Sequence, residues 1–347
     1  MSLIYLERHF QYSPIIVYMA TLKDIAEKTG LSMNTVSRAI RGRGYVSQKA
    51  ADLVKEAVRE LGYHPNFAAQ SLRLQKSMEL AVIMCSSDYL NIRRLMGVRD
   101  YSFDHGYRTT VHFTHPIDDG DNFDDLISAI MKQSPAGVVV IAPSSKHLKK
   151  MRQLRTIIPC VAASYHEEES VDCVYVDRYS GVYNAIQYLY RHGRKRIVFG
   201  ETTGAQNRKD GYLRAVRDLG LPELIIKVVS SDHEEIRRGG LKAAEEISKW
   251  KELPDAIQTS DYLACGLLAG FSRLGIRVPE DIAIIGFDDR EIAEMSTPPL
   301  TTIAHPGEAV GAACAKMLIE RIDSGFCSDA MPQSVKIPMK LVIRKST

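Results

Sequence analysis

Between residues 21 and 62, apolar positions recur at helical spacing in three short runs, and polar residues bracket each run. Thr21 with Asp24 three residues on is an N-cap with a supporting acid, opening a helix that reaches about Thr29. Gly30 supplies a tight turn, Ser32 caps a second helix, and Ser47 caps a third. In that third helix Ala51, Val54, Ala57, Val58 and Leu61 share one face, and Gly62 ends it. A helix, a short glycine-containing turn and another helix predict a helix-turn-helix. After Pro65, Asn66 caps one further short helix over 67–72, which six residues barely hold in water without a partner.

From residue 78 the period changes. Apolar β-type runs ("ELAVIMC", "RTTVHFT", "AGVVVIAP", "IPCVAAS", "VDCVYVD") alternate with helical stretches at 91–105, 122–133 and 145–157. After the helix "YSGVYNAIQYLYRHG" a second set follows: "KRIVFGE", "ELIIKVVS", "PDAIQTS" and "DIAIIGFD". Near-continuous apolar strands alternating with helices predict parallel sheets covered on both faces. Two sets predict two Rossmann-like lobes with a ligand cleft at the strand ends. The fold class is therefore α/β: an all-α helix-turn-helix headpiece followed by a two-lobed core.

The second helix poses the chemical question. At 100° per residue, Val36, Ala39 and Ile40 fall on one side of it. Met33, Ser37, Arg41, Asn34 and Arg38 occupy a continuous arc of about 140° on the other. Asn can bridge adenine, Arg can bridge guanine and Ser can bond phosphate, so this face suits a DNA major groove. Charge agrees: residues 20–76 hold ten Lys and Arg against five Asp and Glu in a chain of net charge +3, the footprint of a polyanion binder.

The remaining composition excludes rather than assigns. No apolar run is long enough to span a bilayer. The opening "MSLIYLERHFQYSPIIVYM" lacks the basic n-region of an export signal, so the first residues read as an extension or mis-assigned start before Met19, and the chain as cytoplasmic. The six cysteines show no C-x-x-C spacing and read as buried, reduced thiols. No G-x-G-x-x-G follows a strand, and neither a nucleophile elbow nor a metal-ligand cluster is present, so neither an enzyme nor a cofactor or metal is expected.

The run "TLKDIAEKTGLSMNTVSRAIRG" with "VSQKAADLVKEAVRELGYHPNFAAQSL" resembles the DNA-binding headpiece of the lactose-repressor (LacI/GalR) family of bacterial regulators. The resemblance implies that Met33, Asn34 and Arg38 read bases, while Ser32, Thr35, Ser37 and Tyr45 hold phosphates. It also implies that 67–72 forms a hinge helix on DNA and that Leu72 wedges into the minor groove at the operator centre. The capping residues Thr21 and Asn66 are further candidates for DNA contact.

The stretches "NRKDGYLRAVRDLGL", "TSDYLACGLLAGFSRLGIRVPEDIAIIGFDD" and "STPPLTTI" resemble the periplasmic-binding-protein-like core of the same family. There the resemblance implies that Arg208, Asp261 and Asp288 line an effector cleft, with Ser260, Ser86 and Asp88 as further candidates. Asp261 is equally placed to cap the helix over 261–274, and Asp288 to serve a turn. Several positions depart from the family pattern: Ser260 stands where Asn is usual, Asp177-Arg178 where Asp-Asn is usual, and the "SSDYLNIRRLMG" loop is short. In "SDHEEIR", where members carry an aromatic lid, only His233 is offered, and a lone loop histidine is usually just solvated.

The expected organisation is an extension over 1–19, a headpiece over 20–65, a hinge and linker over 66–77 and a ligand-binding core over 78–345. The N-lobe is expected at about 78–176 and 305–326, the C-lobe at about 177–304 and 327–345. The expected protein is a homodimeric repressor that binds double-stranded operator DNA and no membrane. A sugar or similar polar metabolite between the lobes would control it. A transport-type solute-binding protein shares the core and is the competing class.

Overall fold

The structure, a computed structural model, describes residues 20–41, 45–63, 77–114, 116–117, 120–230 and 232–347. The chain divides into two compact units, Met1–Lys76 and Ser77–Thr347.

In the first unit, α1 (Leu22–Thr29), α2 (Met33–Arg41) and α3 (Gln48–Leu61) form where the caps predict. The Asp24 amide donates to Thr21 Oγ1 while Asp24 Oδ2 accepts from the Thr21 amide at 2.7 Å, a capping box that holds the Asp24 carboxyl below its ordinary range. Gly30 (φ +67°) turns the chain in the left-handed region that suits glycine, and Ser32 and Ser47 cap α2 and α3 by accepting from the Thr35 and Ala50 amides. Ile25, Val36, Val54, Ala57 and Tyr63 make a small buried core, with Ala39 and Ile40 packed against it.

The second unit contains two six-stranded sheets. The first runs β13-β7-β6-β5-β1-β2 and is wholly parallel. Its strands are β1 (Glu79–Met84), β2 (Arg108–Phe113), β5 (Gly137–Ile141), β6 (Cys160–Ala163), β7 (Asp172–Asp177) and β13 (Ser334–Pro338), and a two-residue pair, β3 (Pro116–Ile117) and β4 (Gly120–Asp121), lies outside it. Along β1 the buried side chains alternate: Leu80, Val82 and Met84 join one apolar cluster, Ala81 and Ile83 another. A strand buried on both faces needs an apolar residue at every position, which is why its sequence shows no alternation. Helices α4 (Tyr89–Asp104) and α12 (Gly307–Asp323) contribute to the first cluster, α5 (Phe123–Met131) and α6 (Ser145–Leu154) to the second.

The second sheet runs β14-β12-β11-β10-β8-β9, with only β14 antiparallel. It comprises β8 (Ile197–Thr202), β9 (Leu224–Val228), β10 (Ala256–Gln258), β11 (Ala283–Asp288), β12 (Thr301–Ala304) and β14 (Lys340–Val342). Around it lie α7 (Arg178–Arg191), α8 (Gln206–Leu219), α9 (His233–Ile247), α10 (Asp261–Arg273) and the short α11 (Glu291–Met295).

The division between lobes differs from expectation at 327–345. Strand β13 belongs to the first sheet, pairing in parallel with β7, and only β14 belongs to the second. The single residue Met339 separates them, so the chain crosses between sheets there, as it also does after Asp177 and after Ala304. The cysteines differ too: Cys327 is exposed, and Cys85 and Cys265 are only partly buried.

Helices α4 and α12 approach closely because Gly97 and Gly311 carry no side chain at their crossing. A Cβ on Gly311 would run into the Arg94 carbonyl, and one on Gly97 into the Glu308 carbonyl. Gly311→Ala is therefore expected to lower stability by about 1–3 kcal/mol through backbone displacement, read by urea unfolding. Unchanged stability would show that the crossing has room to open.

Candidate functional site

The predicted reading face of α2 lies outward. Met33 is 53% exposed, Asn34 and Arg38 are exposed, and Ser37 and Thr35 are partly so, while Val36 opposite them is fully buried. Tyr45 projects at 92% exposure. The Thr21, Ser32 and Thr35 hydroxyls already serve the helix starts: Thr21 Oγ1 donates to Asp24 Oδ2 at 2.9 Å, and Ser32 and Thr35 bond each other at 2.9 Å. All three sit at helix N-termini, where free backbone N–H groups favour phosphate. The Arg41 side chain, Asn66 and Leu72 lie outside the described residues.

In the second unit, a cavity of about 720 Å³ opens between the lobes at the carboxyl ends of the strands. Arg208, Asp261, Asp288, Ser260 and Asp88 all line it; Ser86 does not. Ser86 instead accepts from the Asp88 amide at 3.3 Å and shapes the turn into α4.

Arg208, on the first turn of α8, is 92% buried, its guanidinium 4.8 Å from the Phe287 ring centroid and its Nη2 donating to Thr202 Oγ1 at 3.0 Å. Burial pulls its pKa down to about 10, against the opposing pull of the Asp288 charge. Its Nε has no partner, and neither has Asp288 Oδ1. A buried donor and a buried acceptor, both unused at a cavity wall, are available to a ligand.

Asp288 holds that position under strain. It ends β11 at φ +100° and Asp289 follows at φ +52°, both in the left-handed region. Three bonds fix the turn: Thr302 Oγ1 accepts from the Asp289 amide, Arg344 Nη2 donates to Asp289 Oδ1, and the Arg290 amide donates to Asp261 Oδ2.

Asp261 is not the helix cap that its sequence position allowed. Ser260 occupies the cap position, with its hydroxyl buried and unpartnered, and Asp261 is the first residue of α10. Both Asp261 oxygens are used, Oδ1 accepting from Thr302 Oγ1 at 2.7 Å and Oδ2 from the Arg290 amide at 2.8 Å. Those bonds favour the anion, but burial outweighs them and pushes the carboxyl up to about 7.

The sequence reading missed several lining residues. Arg290, next to the expected Asp288, donates from Nη2 to both oxygens of Asp88 at 3.2 and 3.0 Å, a bond from the second lobe to the first. The same guanidinium lies 5.1 Å from the Tyr262 centroid, and His233 stacks on that ring at 4.2 Å. His233 therefore begins a helix, α9, and though exposed it stacks on an aromatic partner at the cavity. Arg178, noted only as a departure from pattern, also lines the cavity, with its guanidinium 4.8 Å from the Tyr165 centroid.

Comparison with known proteins gives a consistent result. Residues 21–66 match the family model described as bacterial regulatory proteins, lacI family, and residues 186–347 match the periplasmic binding protein-like domain. The chain is 30% identical over 344 residues to the HTH-type transcriptional repressor CytR of Escherichia coli K12, covering 94% of this chain and 96% of that one. It is 30% identical over 318 residues to the HTH-type transcriptional repressor PurR of Vibrio vulnificus, covering 88% and 92%. Its fold matches the Lac repressor bound to ONPG with a TM-score of 0.75 at 21% identity, covering 95% of this chain and 100% of the other. It also matches the Lac repressor dimer bound to operator and the anti-inducer ONPF, with a TM-score of 0.74 at 20% identity, covering 94% and 99%.

The raised Asp261 pKa makes stability depend on pH. Between the ordinary value of 3.8 and the folded value of about 7, the native state holds a proton that the unfolded chain releases. This group's contribution is thus greatest below about pH 4, falls as pH rises to 7 and is level beyond. The full span is on the order of 4 kcal/mol. Asp261→Asn is expected to flatten that segment in thermal unfolding measured across pH. An identical slope in the variant would mean that Asp261 ionises normally in the fold.

Proposed function

This chain belongs to the lacI family of bacterial regulatory proteins, and from that premise we propose that it acts as a cytoplasmic homodimeric repressor. It is a helix-turn-helix, DNA-binding transcriptional regulator. In the proposed reading, each headpiece reads half of a roughly palindromic operator. A polar metabolite, a sugar or a relative of one, binds between the lobes and shifts operator affinity by binding one conformation of the core better than the other.

One observation carries the reading. The same chain holds an outward α2 face of Met33, Asn34 and Arg38 and, in its other unit, a cavity with an unused guanidinium Nε and an unused carboxylate oxygen. Arg208 and Asp288 suit vicinal hydroxyls or the polar edge of a heterocycle, which need a donor and an acceptor side by side. The transport-type alternative accounts for the cavity but has no use for residues 21–66.

Arg38→Ala is expected to weaken operator binding by about 1–3 kcal/mol and to relax preference at one base position. Wild-type binding should weaken steeply as salt rises. Site selection from a randomised operator library checks both, and an unchanged preference removes Arg38 from base readout. Arg208→Ala should bind operator normally and lose the response to effector, because the two features lie in separate units. A gel-shift assay with candidate metabolites tests this, and a normal response in the variant would take Arg208 out of the site.

A further inference from the structure

The charges around the cavity are equal in number but are not paired off. Four guanidiniums gather there: Arg178, Arg208 and Arg290 on the wall, and Arg94 behind it, 1% exposed. The wall carboxylates are Asp88, Asp210, Asp261 and Asp288. Asp88 is committed to Arg290, Asp210 is exposed and accepts from Gln206, and Asp261 is buried with both oxygens bonded within the chain. Asp288 is left, and its charge acts on Arg94, Arg208 and Arg290 alike.

Arg178 is the least provided for. Its Nε is buried without a partner, and among the described residues its guanidinium makes no hydrogen bond and no ion pair. Its guanidinium and that of Arg94, 5.3 Å away from the ring centroid, both lie over Tyr165. Arg94 has neutral partners only: Asn91 Oδ1 at 3.1 Å, the Ala163 carbonyl at 3.4 Å and His305 Nε2 at 3.0 Å. An arginine donates, so His305 Nε2 must accept there, which requires a neutral ring with its proton on Nδ1. That Nδ1 is itself unpartnered, and burial together with Arg94, Arg178, Arg93 and Arg290 holds the His305 pKa well below its ordinary value. The histidine thus stays neutral among guanidiniums at this end of the cavity.

We propose that the Arg178–Tyr165 end of the cavity binds an anionic oxygen group, a phosphate or a carboxylate, carried by the effector. The effector is then a charged polar metabolite rather than a neutral sugar, with its hydroxyls or ring edge at Arg208 and Asp288. This deepens the assignment of the cavity as the effector site and rests on it. A guanidinium edge presents two parallel N–H donors to such a group, and the Tyr165 ring supports its face. Removing the group from water costs least where fixed positive charge already stands unpaired.

The test uses the full chain and two probes, sodium phosphate and sodium acetate, at ionic strength held constant with sodium chloride. Thermal unfolding of wild type should shift upward at millimolar concentrations of one or both. The phosphate arm and the acetate arm separate a phosphate-bearing from a carboxylate-bearing effector. Arg178→Gln should need at least tenfold more anion for the same shift, and Arg178→Lys, which keeps charge but loses the fork, should lie between. Anion bound at the headpiece is common to all three proteins and cancels in the comparison. Wild-type stabilisation retained in Arg178→Gln, an unchanged response in Arg178→Lys, or no response of wild type to either anion would overturn the proposal. Operator binding measured on the same preparation keeps the two readings apart. Its loss would count against the regulator, and an Arg178-dependent anion response would still support the subsite.

Discussion

The core is one folded unit because its backbone passes between the two sheets three times, after Asp177, after Ala304 and at Met339. Three passes of the chain thus join the two lobes. They also bring polar side chains to the crossings. Arg178 is the first residue beyond one crossing, His305 stands in the next, and Lys336, before the third, pairs with Asp177 at 3.4 Å. The polar cluster around Tyr165 therefore lies beside the crossings, and a charge bound there would act where the chain joins the lobes.

Away from the crossings, the cavity mixes groups that are finished with groups that are not. Asp261 and Arg290 are bonded within the chain and hold the loop after β11 in its strained form. Arg208 and Asp288 keep an atom each unused. Preorganisation of this kind lowers the cost of ordering on binding, because the ligand meets side chains already positioned by Thr202, Phe287 and Thr302.

Much of this was legible in the chain. The headpiece caps are local, each a side chain bonding an amide three residues away, so Thr21, Ser32, Ser47 and the glycines at 30 and 62 announced the helices. The nine apolar β-runs all became strands; in the seven central ones burial on both faces demands unbroken hydrophobicity, while β2 and β9 lie at sheet edges and stay partly exposed. Strands β12, β13 and β14 carried no such signal. The β13 pattern is largely exposed, and its placement depends on pairing with β7, some 160 residues earlier, which no local period encodes. In the cavity, Asp288 and Arg208 were found through motif resemblance. Arg290 and Tyr262 were missed, and His233 was read as merely solvated, because their stack joins three elements distant in sequence. Arg178 was visible only as a mismatch, and its meaning needed the neighbours that folding supplies.

The one-residue passage at Met339 restricts how such a protein can vary. Side chains alternate along a strand, so one inserted or deleted residue reverses which of them face the core. At Met339, itself buried, no loop separates β13 from β14, so such a change would shift the pairing in one sheet or the other. Length changes during divergence are thereby steered away from the segment 334–342. Sequence drift there must proceed by substitution alone, and a grafted domain or peptide would find no tolerant site along it.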